Sequence, residues 1–250
     1  MEYPRVVSWF SCGAASAFAT YLARDKYQSN YFEAVYCRVR EEHEDNLRFL
    51  YDYSKACDLP VKTIGDSEHD SSIYKVFEKR KFIKGATGAP CTMILKKNVR
   101  KVYQRPTDIQ IFGYTAEESG RADRFVDSNN EVNVDFILLE NNWTKEDCME
   151  FVKDMGIEIP VMYKLGYSNN NCVGCVKGGM GYWNKIRVDF PDAFDRMASL
   201  ERKIGHAVNK DKNGAVYLDL LASDRGNFKK DKPPACGFTC EWEQASFNFK

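Results

Sequence analysis

Short apolar runs, each closed by a turn and followed by residues at helical spacing, constrain this chain most strongly. The first run is Val6–Phe10. A turn of small residues follows, Ser11-Cys12-Gly13-Ala14-Ala15-Ser16, and then Ala17, Phe18, Tyr21 and Leu22 recur with helical period. Phe32–Cys37 forms a second run before the charged residues 38–45, after which Leu47, Phe49, Leu50 and Tyr53 predict another helix. Residues 60–64 read as a third strand, 66–90 as a helix and an exposed loop, 95–103 as helical, 108–112 as a fourth strand and 136–139 as a fifth. Thr144, with Asp147 three residues on, is an acidic variant of the capping box and opens a further helix. Strands alternating with helices predict an α/β fold, a parallel five-stranded sheet with helices on both faces, with ligands taken up at the carboxyl ends of the strands. One domain is expected over residues 1–205. A cysteine-containing tail, residues 206–250, is expected to fold over the site.

Lysine plus arginine and aspartate plus glutamate are equal at 36 each, so no overall field announces a nucleic-acid or membrane partner, although a local basic face stays open. The first residues lack a basic start, a long apolar stretch and a cleavage site, and no run approaches about 18 apolar residues. The expected compartment is the cytoplasm. In that reducing setting the nine cysteines, an odd number, read as metal or redox chemistry rather than a disulfide scaffold.

Three segments carry candidate chemistry. Ser11, Cys12, Gly13, Ala14 and Ser16 sit where a helix N-terminus can cradle an anion, with small residues allowing close approach and two hydroxyls to donate. Gly113, Glu117, Ser119, Arg121 and Arg124 follow the fourth strand, and arginines there can clamp phosphate or sulfate oxygens. Cys172 and Cys175 form a Cys-X-X-Cys whose thiolates can converge on a metal, with Cys91 as a third ligand. The spacing alone equally suits a zinc half-site or a redox dithiol. In the tail, Cys236 is read as a nucleophile or a further metal ligand and Cys240 as a further metal ligand, with a disulfide between them as the bland alternative. Cys37, Cys57 and Cys148 read as small core residues, and Trp143 as a packing anchor. The three histidines, and the cluster Lys96, Lys97, Arg100 and Lys101, read as exposed.

These segments, in this order, resemble the iron–sulfur branch of the PAPS reductase-like, PP-loop superfamily. Residues 11–16 are similar to its Ser-Gly-Gly-X-Asp-Ser phosphate loop, departing at Cys12 and at Ala15. The stretch from Gly113 to Arg124 is similar to its Gly-X-Arg-X-X-Glu-Ser-X-X-Arg signature. Trp143-Thr144 with Asp147, then Pro160 with Tyr163, then Gly166-Tyr167 before Cys172, repeat its order of pieces. Cys91 resembles the first cluster-ligand region of iron–sulfur APS reductases, which has a Cys-Cys pair where this chain has Cys91-Thr92. The resemblance implies an adenine nucleotide, either ATP or a sulfonucleotide (APS or PAPS), and a four-iron, four-sulfur cluster on Cys91, Cys172 and Cys175, with one iron left open or closed from the tail through Cys236 or Cys240. Cys236 would be the catalytic thiol.

Magnesium would accompany ATP, yet Ala15 in the place of the family's aspartate argues against ordinary magnesium–ATP pyrophosphatase chemistry. The implied activity is sulfur transfer through substrate adenylation, with sulfonucleotide reduction releasing sulfite as the alternative and a nucleotide sensor with a structural cluster as a third reading. A thiol protein as sulfur or electron donor, a nucleic-acid or nucleoside substrate and a homodimer are compatible partners. No membrane partner is expected.

Overall fold

The computed structural model describes residues 4–85 and 88–236. The chain forms two compact units. Among the described residues, one holds 4–38, 43–65 and 99–166, and the other holds 39–42, 66–85, 88–98 and 167–236.

The first unit is built on five strands: β1 (Val6–Phe10), β2 (Phe32–Cys37), β3 (Val61–Ile64), β4 (Ile109–Ile111) and β5 (Asn133–Asp135). All pair in parallel in the order β3-β2-β1-β4-β5. Every residue of β1 is buried, as a central strand covered by helices on both faces requires. Helices Ala14–Lys26, Asp45–Ala56 and Lys145–Asp154 supply much of that cover. Phe10 packs on Tyr53 with ring centroids 4.7 Å apart, and Phe18 stacks on Phe151 at 4.5 Å. Cys37, Cys57 and Cys148 are buried in this unit, whereas Trp143, expected to be a packing anchor, is exposed, with its ring at an edge-type angle to Phe18 5.2 Å away.

The fifth strand lies earlier than the apolar run suggested. β5 is the polar segment Asn133–Asp135, while Ile137–Glu140 is a helical turn that buries Ile137 and Leu138. A short continuous apolar run does not distinguish a strand from a buried helical turn. At the edge of the sheet the polar strand is fixed instead by Asp135, which accepts from Lys26 Nζ at 2.8 Å and Tyr27 Oη at 2.7 Å. At the amino ends of the strands, Arg5 is nearly buried and grips Asp108 through Nε (3.0 Å) and Nη2 (2.5 Å), and Glu33 at 2.9 Å. Arg100, expected in solvent, is fully buried over the Phe125 ring and donates to Asn129 at 2.7 Å.

The second unit contains helices Ile73–Arg80, Met180–Asp189 and Pro191–Ile204, and a turn Pro90–Thr92 that runs into a wider π-helical turn, Met93–Asn98. An antiparallel hairpin of β6 (Asn209–Asp211) and β7 (Gly214–Val216) follows. Both sides of the hairpin are fastened to Glu201, whose buried carboxylate accepts from the backbone N–H of Val208 and, at 2.6 Å, of Leu218. Burial pushes that carboxyl up to about 6. Residues 206–236 of the expected tail belong to this unit. Cys240 lies outside the described residues. Among the described residues no helix is long and apolar enough to cross a membrane.

Candidate functional site

Strand order reverses between β1 and β4, which pair directly through Val6 with Ile109, Val7 with Gln110 and Ser8 with Ile111. The loops leaving their carboxyl ends are therefore neighbours, and this is where doubly wound sheets take up ligands. After β1 the chain turns through Cys12, buried at φ 57°, a left-handed conformation that costs a side-chain-bearing residue about 1–2 kcal/mol. Gly13 then opens helix Ala14–Lys26, and no side chain caps it. Its first backbone N–H groups suit an anion.

Ser16 organises this loop. Its hydroxyl donates to the Gly13 carbonyl at 2.9 Å and accepts from the Ser11 N–H and hydroxyl, both at 3.0 Å. Behind it, Thr20 donates to the Ser16 carbonyl at 2.6 Å and meets Ser8 at 2.8 Å. Gly113 packs directly on the loop: a Cβ there would stand 2.7 Å from the Ala15 carbonyl carbon and the Ser16 nitrogen. A Cβ on Gly13 would reach 3.0 Å from the Tyr163 hydroxyl. Tyr163 is a contact that spacing alone did not flag as part of the loop.

The rest of the β4 loop is tied into structure. Thr115 and Glu118 form a capping box, and Arg121 ion-pairs with Glu118 while lying 5.0 Å over the Tyr114 ring. Glu117 accepts from the Lys145 N–H at 3.2 Å, so its carboxylate caps helix Lys145–Asp154 alongside the Thr144–Asp147 box. Ser119 and Arg124 are exposed on helix Ser119–Ser128.

The second unit contains Cys91, Cys172, Cys175 and Cys236. Cys172 and Cys175 are buried on either side of Gly174, whose φ of 71° turns the chain and whose missing Cβ leaves room for Trp183. Tyr182 clasps the turn, accepting from the Cys175 N–H at 2.9 Å and donating to the Cys172 carbonyl at 3.4 Å. The segment is seated by an antiparallel bridge between Glu42 and Cys172 and by the Val173 N–H on the Glu41 carbonyl at 2.8 Å. Lys96, expected on a solvated helix face, is instead buried in an ion pair with Glu42 at 2.9 Å. A buried ammonium is tolerated only with such a partner. Cys91 is half-buried, and the hydroxyl of its neighbour Thr92 lies 3.7 Å from Cys236 Sγ.

Electrostatics separates these sulfurs. Burial pushes the Cys172 thiol well up, reinforced by the charges of Glu42 and Cys236, and burial with the charge of Cys236 pushes Cys175 up to about 11. For Cys236, burial also opposes ionisation, but Lys96, Lys177 and the Thr92 hydroxyl outweigh it and the thiol falls below its ordinary value. Buried thiols of this kind become thiolates outright when a metal supplies the compensating charge.

Among the described residues, the one group of three or more histidine, cysteine or carboxylate ligand atoms within 4.8 Å of one another is Asp66, Glu68 and His69. There Asp66 is engaged by the backbone N–H and ring of His69, and Glu68 by Lys79. His69 is buried rather than exposed, because its ring folds back on Asp66 three residues earlier. Among the described residues, no three cysteine thiols lie within 4.8 Å of one another.

Comparison with protein-family models gives no match, and comparison with curated proteins gives none either.

Proposed function

We propose that this chain is an adenine-nucleotide-binding sulfur-transfer enzyme of the PAPS reductase/PP-loop type, carrying an iron–sulfur cluster on its cysteines. The observation that carries the proposal is the serine-closed loop at the end of β1, beside β4 at the point of strand reversal, with the Gly113 backbone against it. Backbone N–H groups at the start of helix Ala14–Lys26, with the Ser11 and Ser16 hydroxyls, would hold the phosphates. Arg121 and Arg124 would add cationic charge on the β4 side.

In the reaction a substrate oxygen attacks the α-phosphorus of ATP and pyrophosphate leaves; hydrosulfide then attacks the activated carbon, forming the C–S bond as the C–O bond breaks and AMP leaves. Cys91, Cys172 and Cys175 would hold the cluster, which supplies a soft site for sulfide when bound. The donor set fits it: the two most buried thiols need a metal's charge to ionise, and Lys96 and Lys177 offset the negative charge of the thiolates. A reducing cytoplasm suits such thiols.

One observation favours a second reading, sulfonucleotide reduction. Cys236 is the thiol whose surroundings favour the thiolate, the form that would attack the sulfur of APS or PAPS, displace the nucleotide and leave a sulfocysteine for a donor thiol to reduce to sulfite. Incubating the anaerobically purified chain with ATP, APS or PAPS tests both. Pyrophosphate release from ATP in the presence of a nucleoside or RNA acceptor supports sulfur transfer, and sulfite release supports the second reading. Binding without turnover would overturn both in favour of a nucleotide sensor.

A further inference from the structure

We infer that Cys236 is the fourth thiolate ligand of the cysteine site, positioned by Asn171 in the place that Thr92 leaves without a sulfur. The inference rests on the cluster reading proposed above and reassigns Cys236 from nucleophile to ligand.

The returning segment is tied down from residue 226 onward. Asp231 accepts from the Gly181 and Asn227 N–H groups, each at 2.8 Å, and its carbonyl accepts from the Gly179 N–H at 2.9 Å. Pro233 and Pro234 then hold the backbone away from helix. Along this stretch the side chains of Asn169 and Asn171 take the part of a neighbouring strand. Asn169 Nδ2 donates to the Pro233 carbonyl at 3.0 Å, and Asn171 Nδ2 to the Pro234 carbonyl at 2.9 Å. The other end of the same Asn171 amide accepts the Cys236 N–H at 2.9 Å. Asn171 is buried, so these two bonds are made away from water and fix residues 234 and 236 together.

The consequence is the placement of one sulfur. Asn171 immediately precedes Cys172, and Thr92 immediately follows Cys91. Cys236 is bonded to the first through its backbone and lies 3.7 Å from the hydroxyl of the second through Sγ. It therefore sits between the two segments that bear the other thiols. Thr92 is buried and offers only a hydroxyl, which is a poor ligand for iron in a sulfide cluster, whereas Cys236 brings a soft thiolate to the same spot.

The test uses the full chain, loaded anaerobically with ferrous iron and sulfide, with iron per chain and the electron paramagnetic resonance of the reduced protein as readouts. Cys236→Ser is expected to lose at least half of the iron or to give a three-iron signal, Asn171→Ala to release iron to a chelator about 10-fold faster, and Cys240→Ser to match the parent. ATP binding by each variant checks that it has folded. Where Cys236→Ser does not fold, alkylation of the parent decides: Cys236 should be protected while iron is bound and modified once it is stripped. Equal alkylation in both states, or parent-like iron and spectrum in Cys236→Ser, overturns the inference alone. Loss of iron from Cys240→Ser with Cys236→Ser intact transfers the role to Cys240 and overturns it too. A parent chain that takes up no iron overturns the cluster reading and this inference with it.

Discussion

The loop after β1 and the thiol site of the second unit place their polar groups by opposite means. The loop offers backbone N–H groups and the Ser11 and Ser16 hydroxyls, and its shape depends on what is missing: a Cβ at Gly113 and another at Gly13. The thiol site is assembled from long side chains, with Glu42, Lys96 and Lys177 acting on sulfurs from two chain segments, Cys172 with Cys175 and Cys236. A site made of consecutive backbone is set by local conformation and tolerates no added volume. A site made of distant charged side chains is set by the fold around it and tolerates no unpaired charge.

The largest effect should therefore come from unpairing a buried charge. Lys96→Met leaves Glu42 buried without its cation, and a loss of about 3–5 kcal/mol in urea unfolding is expected, together with lost iron. The double variant Lys96→Met/Glu42→Gln should regain most of that stability. Asp108→Ala removes two hydrogen bonds from Arg5 but leaves it paired with Glu33, so it should destabilise less, by about 1–3 kcal/mol, while leaving iron per folded chain unchanged. Equal iron loss in Asp108→Ala would break the distinction between the two regions.

A smaller and more local effect is expected at the loop. Gly113→Ala drives a methyl into the Ala15–Ser16 backbone and should weaken ATP binding by about 10-fold or more, at about 1–3 kcal/mol of stability, with iron unaffected. Equilibrium dialysis with ATP reads this directly, and unchanged affinity would remove the loop from the nucleotide site.

The smallest effect is a pH dependence that neither site carries. Glu201 has a folded value of about 6, raised by burial above the ordinary 4.5, so its ionised form is the one the fold disfavours. Its contribution is fully present below the unfolded value and is lost as pH rises through about 6. The loss is on the order of 1 kcal/mol once solvent screening is allowed for. Urea midpoints measured across pH 4 to 7 should show this decline in the parent and lack it in Glu201→Gln. An identical slope in both would assign it to other groups.

What could be read in advance divides along the same line. The run Val6–Phe10, the small residues after it and the Thr144–Asp147 cap are local patterns, and each forms the element its spacing predicts. The polar edge strand Asn133–Asp135 was missed because its anchors, Lys26 and Tyr27, lie more than a hundred residues away in sequence. Lys96 and Arg100 looked solvated because a basic run gives no hint of Glu42 or Asn129. Asn169 and Asn171 had no signal either, since an asparagine that holds a distant segment looks like any loop asparagine. Cys91, Cys172 and Cys175 were visible as sulfurs, but the bonds that bring Cys236 toward them arise from residues 169–181 and 231–236 in the fold.

The central claim is that these cysteines hold an iron–sulfur cluster. Iron and acid-labile sulfide, determined together on the full chain purified without oxygen, test it most directly. The account predicts about four irons and an equal number of sulfides per chain, both lost when Cys172 and Cys175 are replaced by serine. A chain that purifies with one zinc and no labile sulfide, or that keeps its iron in the double variant, would contradict it.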